Sequence, residues 1–282
     1  MIGKPKPLRT AWGGVAVGGH NLYLTTQYGG PNGGRGENGN GNIVELRPPA
    51  QLGGVWLAKQ IFAFTGGTVG TDPMPGGGAL TADSAGNLYG TAIATNSSGE
   101  SYAFVFELSP PSSGNGQWTE SVIGVVESGY TASGSLVLDK SGSIYGTTFM
   151  TPYGYSATVF KLVPPQPWTW LTLYTFSSTT SPQDGWYAYG GVVLDSAGNV
   201  YGTTAAGGTS SACGSNGCGT VFELSPSTSV PWTETVLHSF SDNLRDGEGP
   251  ISSLTMDPGG RLYGVTLKGG AYNAGTAFEV VP

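Results

Sequence analysis

The sequence predicts an all-β protein, a five-bladed β-propeller of four-stranded antiparallel blades. Three observations lead there. A tyrosine recurs at Tyr23, Tyr89, Tyr145, Tyr201 and Tyr263, at spacings of 66, 56, 56 and 62 residues by subtraction. Each tyrosine lies in a run rich in Val, Leu and Thr, followed by a second such run, with Gly, Pro, Asn and Ser between them, which is the pattern of short strands and turns. No stretch carries apolar residues at i, i+3, i+4 and i+7 over a useful length, so long helices are not expected.

The elements follow in chain order. Residues 1–11 (MIGKPKPLRTA) form an N-terminal arm or closing strand, with Pro5 and Pro7 confining it to a sheet edge. The blades are expected at 12–65, 78–127, 134–176, 190–240 and 251–282, as one domain. In each, the second strand holds the tyrosine (HNLYLTT, GNLYGTA, GSIYGTT, GNVYGTT, GRLYGVT) and the third ends in a similar motif (NIVELRP, FVFELSP, TVFKLVP, TVFELSP, TAFEVVP). Four units continue into a fourth strand, entered through Trp56, Trp118, Trp168 or Trp232. The chain stops at Pro282 before a fourth strand of the fifth unit. The propeller is therefore expected to be closed by the N-terminal segment or by a strand from a neighbouring molecule.

Composition narrows the function classes. With 49 glycines in 282 residues, 10% charged residues and a net charge of −7, the chain suits neither nucleic acid nor an anionic membrane surface. No apolar run is long enough for a membrane span. The N-terminus has no apolar signal core, so any export signal lies outside this chain. Cys213 and Cys218, both in CGSNGC, are expected to form a disulfide within one loop, which implies an oxidising compartment and an extracellular or cell-surface location. No cofactor and no metal site is expected.

In units two to five the first strand ends in an aspartate followed by a glycine turn: Asp83, Asp139, Asp195 and Asp257. These carboxylates are expected to hold tight turns rather than calcium, because one carboxylate per turn is few for a site wanting six to eight oxygens. Strand direction puts these turns and the proline-rich links on one face. The glycine-rich loops and the links between blades collect on the other, where a rigid scaffold usually carries its binding residues. Aromatics and acids gather there, and the ligand-binding candidates are Tyr153, Tyr155, Asp184, Trp186, Tyr187, Tyr189, Asp246 and Tyr272. Flat apolar rings beside Asn, Asp and Gly suit sugar recognition. No G-x-S-x-G elbow is present, and His20 and His238 occupy repeat positions, so no catalytic residue is assigned.

The segment GNVYGTTAAGG…CGTVFELSP resembles the GloVer-type extracellular tandem repeat of bacterial surface proteins with varied anchors. The likeness extends over nearly the whole chain and departs from the pattern in the first unit, where Gly18 stands for the turn aspartate. It implies secretion and a propeller-like fold, and it brings no established reaction.

The main expectation is thus a secreted, non-catalytic module that presents its loop-rich face to a glycan or a surface protein. One alternative is a self-assembling structural or filament subunit, a homo-oligomer joined through residues 1–11. The other is a carbohydrate-active hydrolase or lyase using Asp184, Asp246 or Glu248.

Overall fold

A computed structural model describes residues 14–26, 41–64, 71–75, 78–95, 101–113, 116–126, 130–132, 134–150, 156–177, 183–241 and 246–282. The N-terminal arm, Tyr153 and Tyr155 lie outside the described residues. The chain divides into two compact units, Met1–Ser128 and Gly129–Pro282. The first holds blades one and two and the second blades three to five.

The fold is all-β and propeller-like, as expected, built from antiparallel meanders. Blade one runs Ala16–Gly18, Asn21–Thr26, Asn42–Arg47 and Leu57–Ala63. Blade two runs Thr81–Ala82, Leu88–Thr95, Ser101–Ser109 and Thr119–Val125. Blade three runs Val137–Leu138, Ile144–Met150, Ser156–Val163 and Thr169–Ser177. Blade four runs Val193–Leu194, Val200–Thr204, Thr220–Ser225 and Thr233–Ser239. Blade five has three strands, Thr255–Met256, Leu262–Val265 and Ala277–Val280. The sole helical turn among the described residues is Gly214–Asn216.

One feature was not foreseen. The links between blades are themselves paired: Thr71–Pro75 and Tyr130–Thr131 add to the far end of the second strands of blades two and three. Trp186 bridges to Ala206, and Gly247–Glu248 pairs with Lys268–Gly269. The cause is a length mismatch. First strands of two residues leave the long second strands with unpaired backbone groups, and the links supply the partners. Each link therefore crosses the end of its blade where the second and third strands are joined.

A hydrogen-bonded clamp recurs at the opposite end. In blade four, Asp195 Oδ1 accepts the backbone N–H groups of Ala197 and Asn199 at 2.8 and 2.9 Å, while Oδ2 accepts the Tyr201 hydroxyl at 3.1 Å. Asp83, Asp139 and Asp257 repeat the arrangement with Tyr89, Tyr145 and Tyr263. The turns need a left-handed glycine, Gly198 at φ 90° in blade four. Blade one has no aspartate to bind, and a side chain at Gly18 would collide with the Tyr23 ring.

The residue after the tyrosine fixes the packing inside each sheet. Gly202 lies opposite Phe222, and a Cβ there would approach Phe222 Cζ to 2.5 Å. Gly90, Gly146 and Gly264 make the same room for Phe106, Phe160 and Phe278. Blade one exchanges the volumes: Leu24 faces Val44. A bulge follows between the third and fourth strands of blades one to four, at Val159/Phe160 in blade three and Val221/Phe222 in blade four. Two of the recurring tryptophans pack against the tyrosine of the preceding blade, Trp118 on Tyr23 and Trp232 on Tyr145, with centroids 6.2 and 6.5 Å apart.

Replacing Gly202 by Ala is expected to lower stability by about 1–3 kcal/mol, the usual cost of overpacking a sheet core. Adding Phe222→Val, the residue blade one has at the facing position, is expected to restore part of the loss. Urea unfolding of the single and double variants measures both.

Candidate functional site

The bulge at Val159/Phe160 sets the direction of the side chains that follow it in the fourth strand of blade three. Tyr174 comes immediately after, and its hydroxyl donates to Asp184 Oδ2 at 2.5 Å. Asp184 sits in the link to blade four, ahead of Gly185, which has φ 110° and lies so close to Thr204 that a side chain would clash with it. The Thr220 hydroxyl donates to the Asp184 carbonyl at 3.1 Å, which fixes the backbone too. Trp232 N–H donates to Leu173 O at 2.7 Å and draws the start of the fourth strand of blade four against that of blade three. Two residues on, Glu234 completes a trio.

Glu234 Oε1 is cut off from solvent and has no hydrogen-bond partner among the described residues. Burial, and then the negative charge of Asp184, push its carboxyl up to about 7. The Tyr174 phenol is raised as well, first by burial, then by its bond to Asp184 and the charges of Asp184 and Glu234, so it stays a donor at neutral pH. Beside the trio a cavity of about 370 Å³ is lined by Thr172, Tyr174, Thr175, Val230 and Pro231. Hydroxyls, an apolar wall and two carboxyl groups, of which Glu234 is held protonated to higher pH by its burial, thus occupy one blade junction.

The repeat shows what is particular here. Glu120 holds the register of Glu234, opposite Leu108 as Glu234 is opposite Leu224, and burial raises its carboxyl too. No second carboxylate contributes at Glu120. His238 holds the register of Tyr174 and lies 3.3 Å from Asp246. Asp246 is otherwise taken up by Ser241 N–H, the Ser241 hydroxyl and Gly247 N–H, so it ties down its own link. Glu248 pairs with Lys268 at 3.4 Å.

The same link brings Trp186, Tyr187 and Tyr189 together. Trp186, 4% exposed, stacks on Tyr187 at 4.7 Å, and Tyr187 on Tyr189 at 5.5 Å, with Phe149 edge-on beyond. Tyr187 has φ 62°, an uncommon conformation for an aromatic residue, held by the bond from Ala205 N–H to its carbonyl. Cys213 and Cys218 form the expected disulfide, Cα atoms 5.2 Å apart, and Cys218 is buried in the blade core. Tyr272, 93% exposed, stands on the loop of blade five and joins neither group. Tyr174 and Glu234 are absent from the sequence-derived candidates. The usable signal is the shared W-T-E at 118–120 and 232–234, which sets a carboxyl in a strand that is partly buried in the blade.

A carboxyl raised on folding weakens the fold as pH rises, because the folded state holds the proton more tightly than the unfolded chain. For Glu234 the loss begins near the ordinary value of about 4.5 and is complete above about 7. Glu234→Gln is therefore expected to melt a few degrees above the parent at pH 8 and close to it at pH 4. Calorimetry across that range checks the sign.

A search of curated proteins finds no match. Among solved structures the chain is similar to a Trypanosoma rangeli sialidase in complex with sialic acid (14% identity, TM-score 0.55, 94% of this chain and 43% of that one). It is similar to the Hadza microbial sialidase (12%, 0.53, 92% and 49%) and to a Dyadobacter fermentans protein of unknown function (12%, 0.53, 92% and 72%). The chain thus spans about half or less of the length of the two sialidases. These neighbours correct the expectation of a non-catalytic binding or surface-interaction module, since the fold they share with this chain is one that carries glycan-processing enzymes. A family model described as the Gloeobacter/Verrucomicrobia repeat matches residues 75–282, and the chain belongs to that family.

Proposed function

We propose that this chain is the propeller part of an exported enzyme that cleaves glycosidic bonds. The observation that carries the reading is the Tyr174–Asp184–Glu234 trio beside the 370 Å³ cavity. The likeness to sialidases supports it at the level of fold. The disulfide supports folding in an oxidising compartment and hence an extracellular location.

The chemistry follows from the raised Glu234 carboxyl beside Asp184. Glu234, its carboxyl raised to about 7 and so still partly protonated near neutral pH, gives its proton to the glycosidic oxygen as the C–O bond breaks. Asp184, oriented by the Tyr174 hydroxyl, faces the positive charge that develops on the sugar, and a water molecule gives its hydroxyl to the anomeric carbon and its remaining proton to the Glu234 carboxylate. Tyr174 is a positioning residue. Of the three acids named from sequence, Asp184 alone keeps a chemical role in this reading.

The test is hydrolysis of a panel of polysaccharides and aryl glycosides. Glu234→Gln and Asp184→Asn are each expected to lower the rate about 10²–10⁴-fold, and Tyr174→Phe less. Activity is expected to fall above about pH 7, where Glu234 loses its proton. Variants that cleave as fast as the parent, or a folded parent that cleaves nothing on the panel, would overturn the reading.

A further inference from the structure

A second cavity, of about 150 Å³, lies beyond the trio on the same link, lined by Trp186 and the loop from Gly207 to Gly217. Its wall is built before any ligand arrives. Gly207 N–H donates to Asn216 O at 2.6 Å, and Gly219 N–H to Gly207 O at 3.0 Å. A side chain at Gly217 would run into the Gly207 carbonyl, and one at Gly208 into the Ser239 hydroxyl, so this close approach requires glycine. The Cys213–Cys218 disulfide ties the outer part of the loop to the buried core of blade four.

The chemistry of the lining is uniform. Thr209, Ser211, Ser215 and Asn216 face the cavity region with side chains that make no hydrogen bond within the described residues, and Trp186, 4% exposed, forms part of the lining. No charged side chain lines it. Three of the described cations of this unit are paired elsewhere, Lys161 with Asp139, Arg261 with Glu279 and Lys268 with Glu248, at 3.6, 3.4 and 3.4 Å, and Lys140 follows Asp139 in the turn of blade three. The link itself carries the acid Asp184. A carboxylated sugar finds repulsion here and no described counter-charge, whereas a neutral ring finds hydroxyl and amide groups of both donor and acceptor type.

We infer that the Trp186–Asn216 cavity is a binding subsite for one neutral pyranose unit of a glycan chain. The inference rests on the glycan reading above for its ligand class, and it sets this chain apart from enzymes of acidic sugars. Because the cavity and the trio share one short link, a sugar held here places its chain next to Asp184. The disulfide keeps the wall assembled, so the subsite is also sensitive to reduction.

Calorimetric titration of the full chain with cello-, xylo-, malto- and galacto-oligosaccharides and with sialyllactose tests it, with amide NMR to locate binding. A neutral oligosaccharide is expected to bind and perturb residues 207–217, and sialyllactose is not. Ser215→Ala with Asn216→Ala should weaken binding about tenfold or more, as should Cys213→Ser with Cys218→Ser. Asp184→Asn should keep the binding while losing cleavage, so loss of catalysis and loss of the subsite are read separately. Preference for sialyllactose, no binding by any neutral oligosaccharide, or binding that leaves residues 207–217 unperturbed would overturn the inference even if the chain cleaves glycans.

Discussion

In four of the five blades a phenol reaches back six residues to the aspartate that ends the first strand. One carboxylate satisfies two backbone N–H groups and one hydroxyl, so a two-residue strand and a tight turn are held without any large core of their own. The hydrogen bonds outweigh partial burial and keep the Asp195 carboxyl below its ordinary value, and burial, then the charges around it, hold the Tyr201 phenol at about 12. With the tyrosine fixed, the following glycine admits the phenylalanine of the third strand, and the sheet closes on its own aromatic residue. The first blade lacks the aspartate and makes the exchange of Leu24 for Gly and Val44 for Phe. The site is filled by two aliphatic side chains instead of one ring, and this blade forms its sheet without the clamp.

The rigid end frees the other end. Short first strands leave the second strands underpaired, and the links between blades fold over to complete them. That is why Trp186 and Ala206 come together, with Asp184 two residues before Trp186 in the same link. The Asp184 and Asp246 links begin from one plan and diverge through their fourth strands. Tyr174 meets Asp184 where His238 meets Asp246, but only the former has a buried glutamate beside it among the described residues. A repeated structural cap has thereby become a place where two carboxyl groups interact.

The all-β class, the meander and the sorting of loops to two ends were legible because they rest on periodicity and turn chemistry, which the tyrosine spacing and the D-x-x-G turns state openly. The disulfide was legible from two cysteines in one loop. Of the eight candidate ligand residues, Asp184, Trp186, Tyr187 and Tyr189 fall together because they are neighbours in one link. Asp246 and Tyr272 were named because strand direction puts their link and loop on the same face, and the structure shows Asp246 bonded within its own link and Tyr272 exposed on the loop of blade five. Glu234 and Tyr174 were hidden because a strand of this kind alternates polar and apolar residues. Nothing in that pattern tells a solvated glutamate from one whose oxygen is sealed in beside another blade. Contacts across a blade junction depend on the bulge and on the Trp232–Leu173 hydrogen bond, and neither is written in a single repeat.

The most direct test of the site is the titration of the Glu234 carboxyl carbon by NMR in the parent and in Asp184→Asn. The account predicts a midpoint near 7 that falls when the Asp184 charge is removed. A midpoint in the ordinary range near 4.5, indifferent to residue 184, would contradict it.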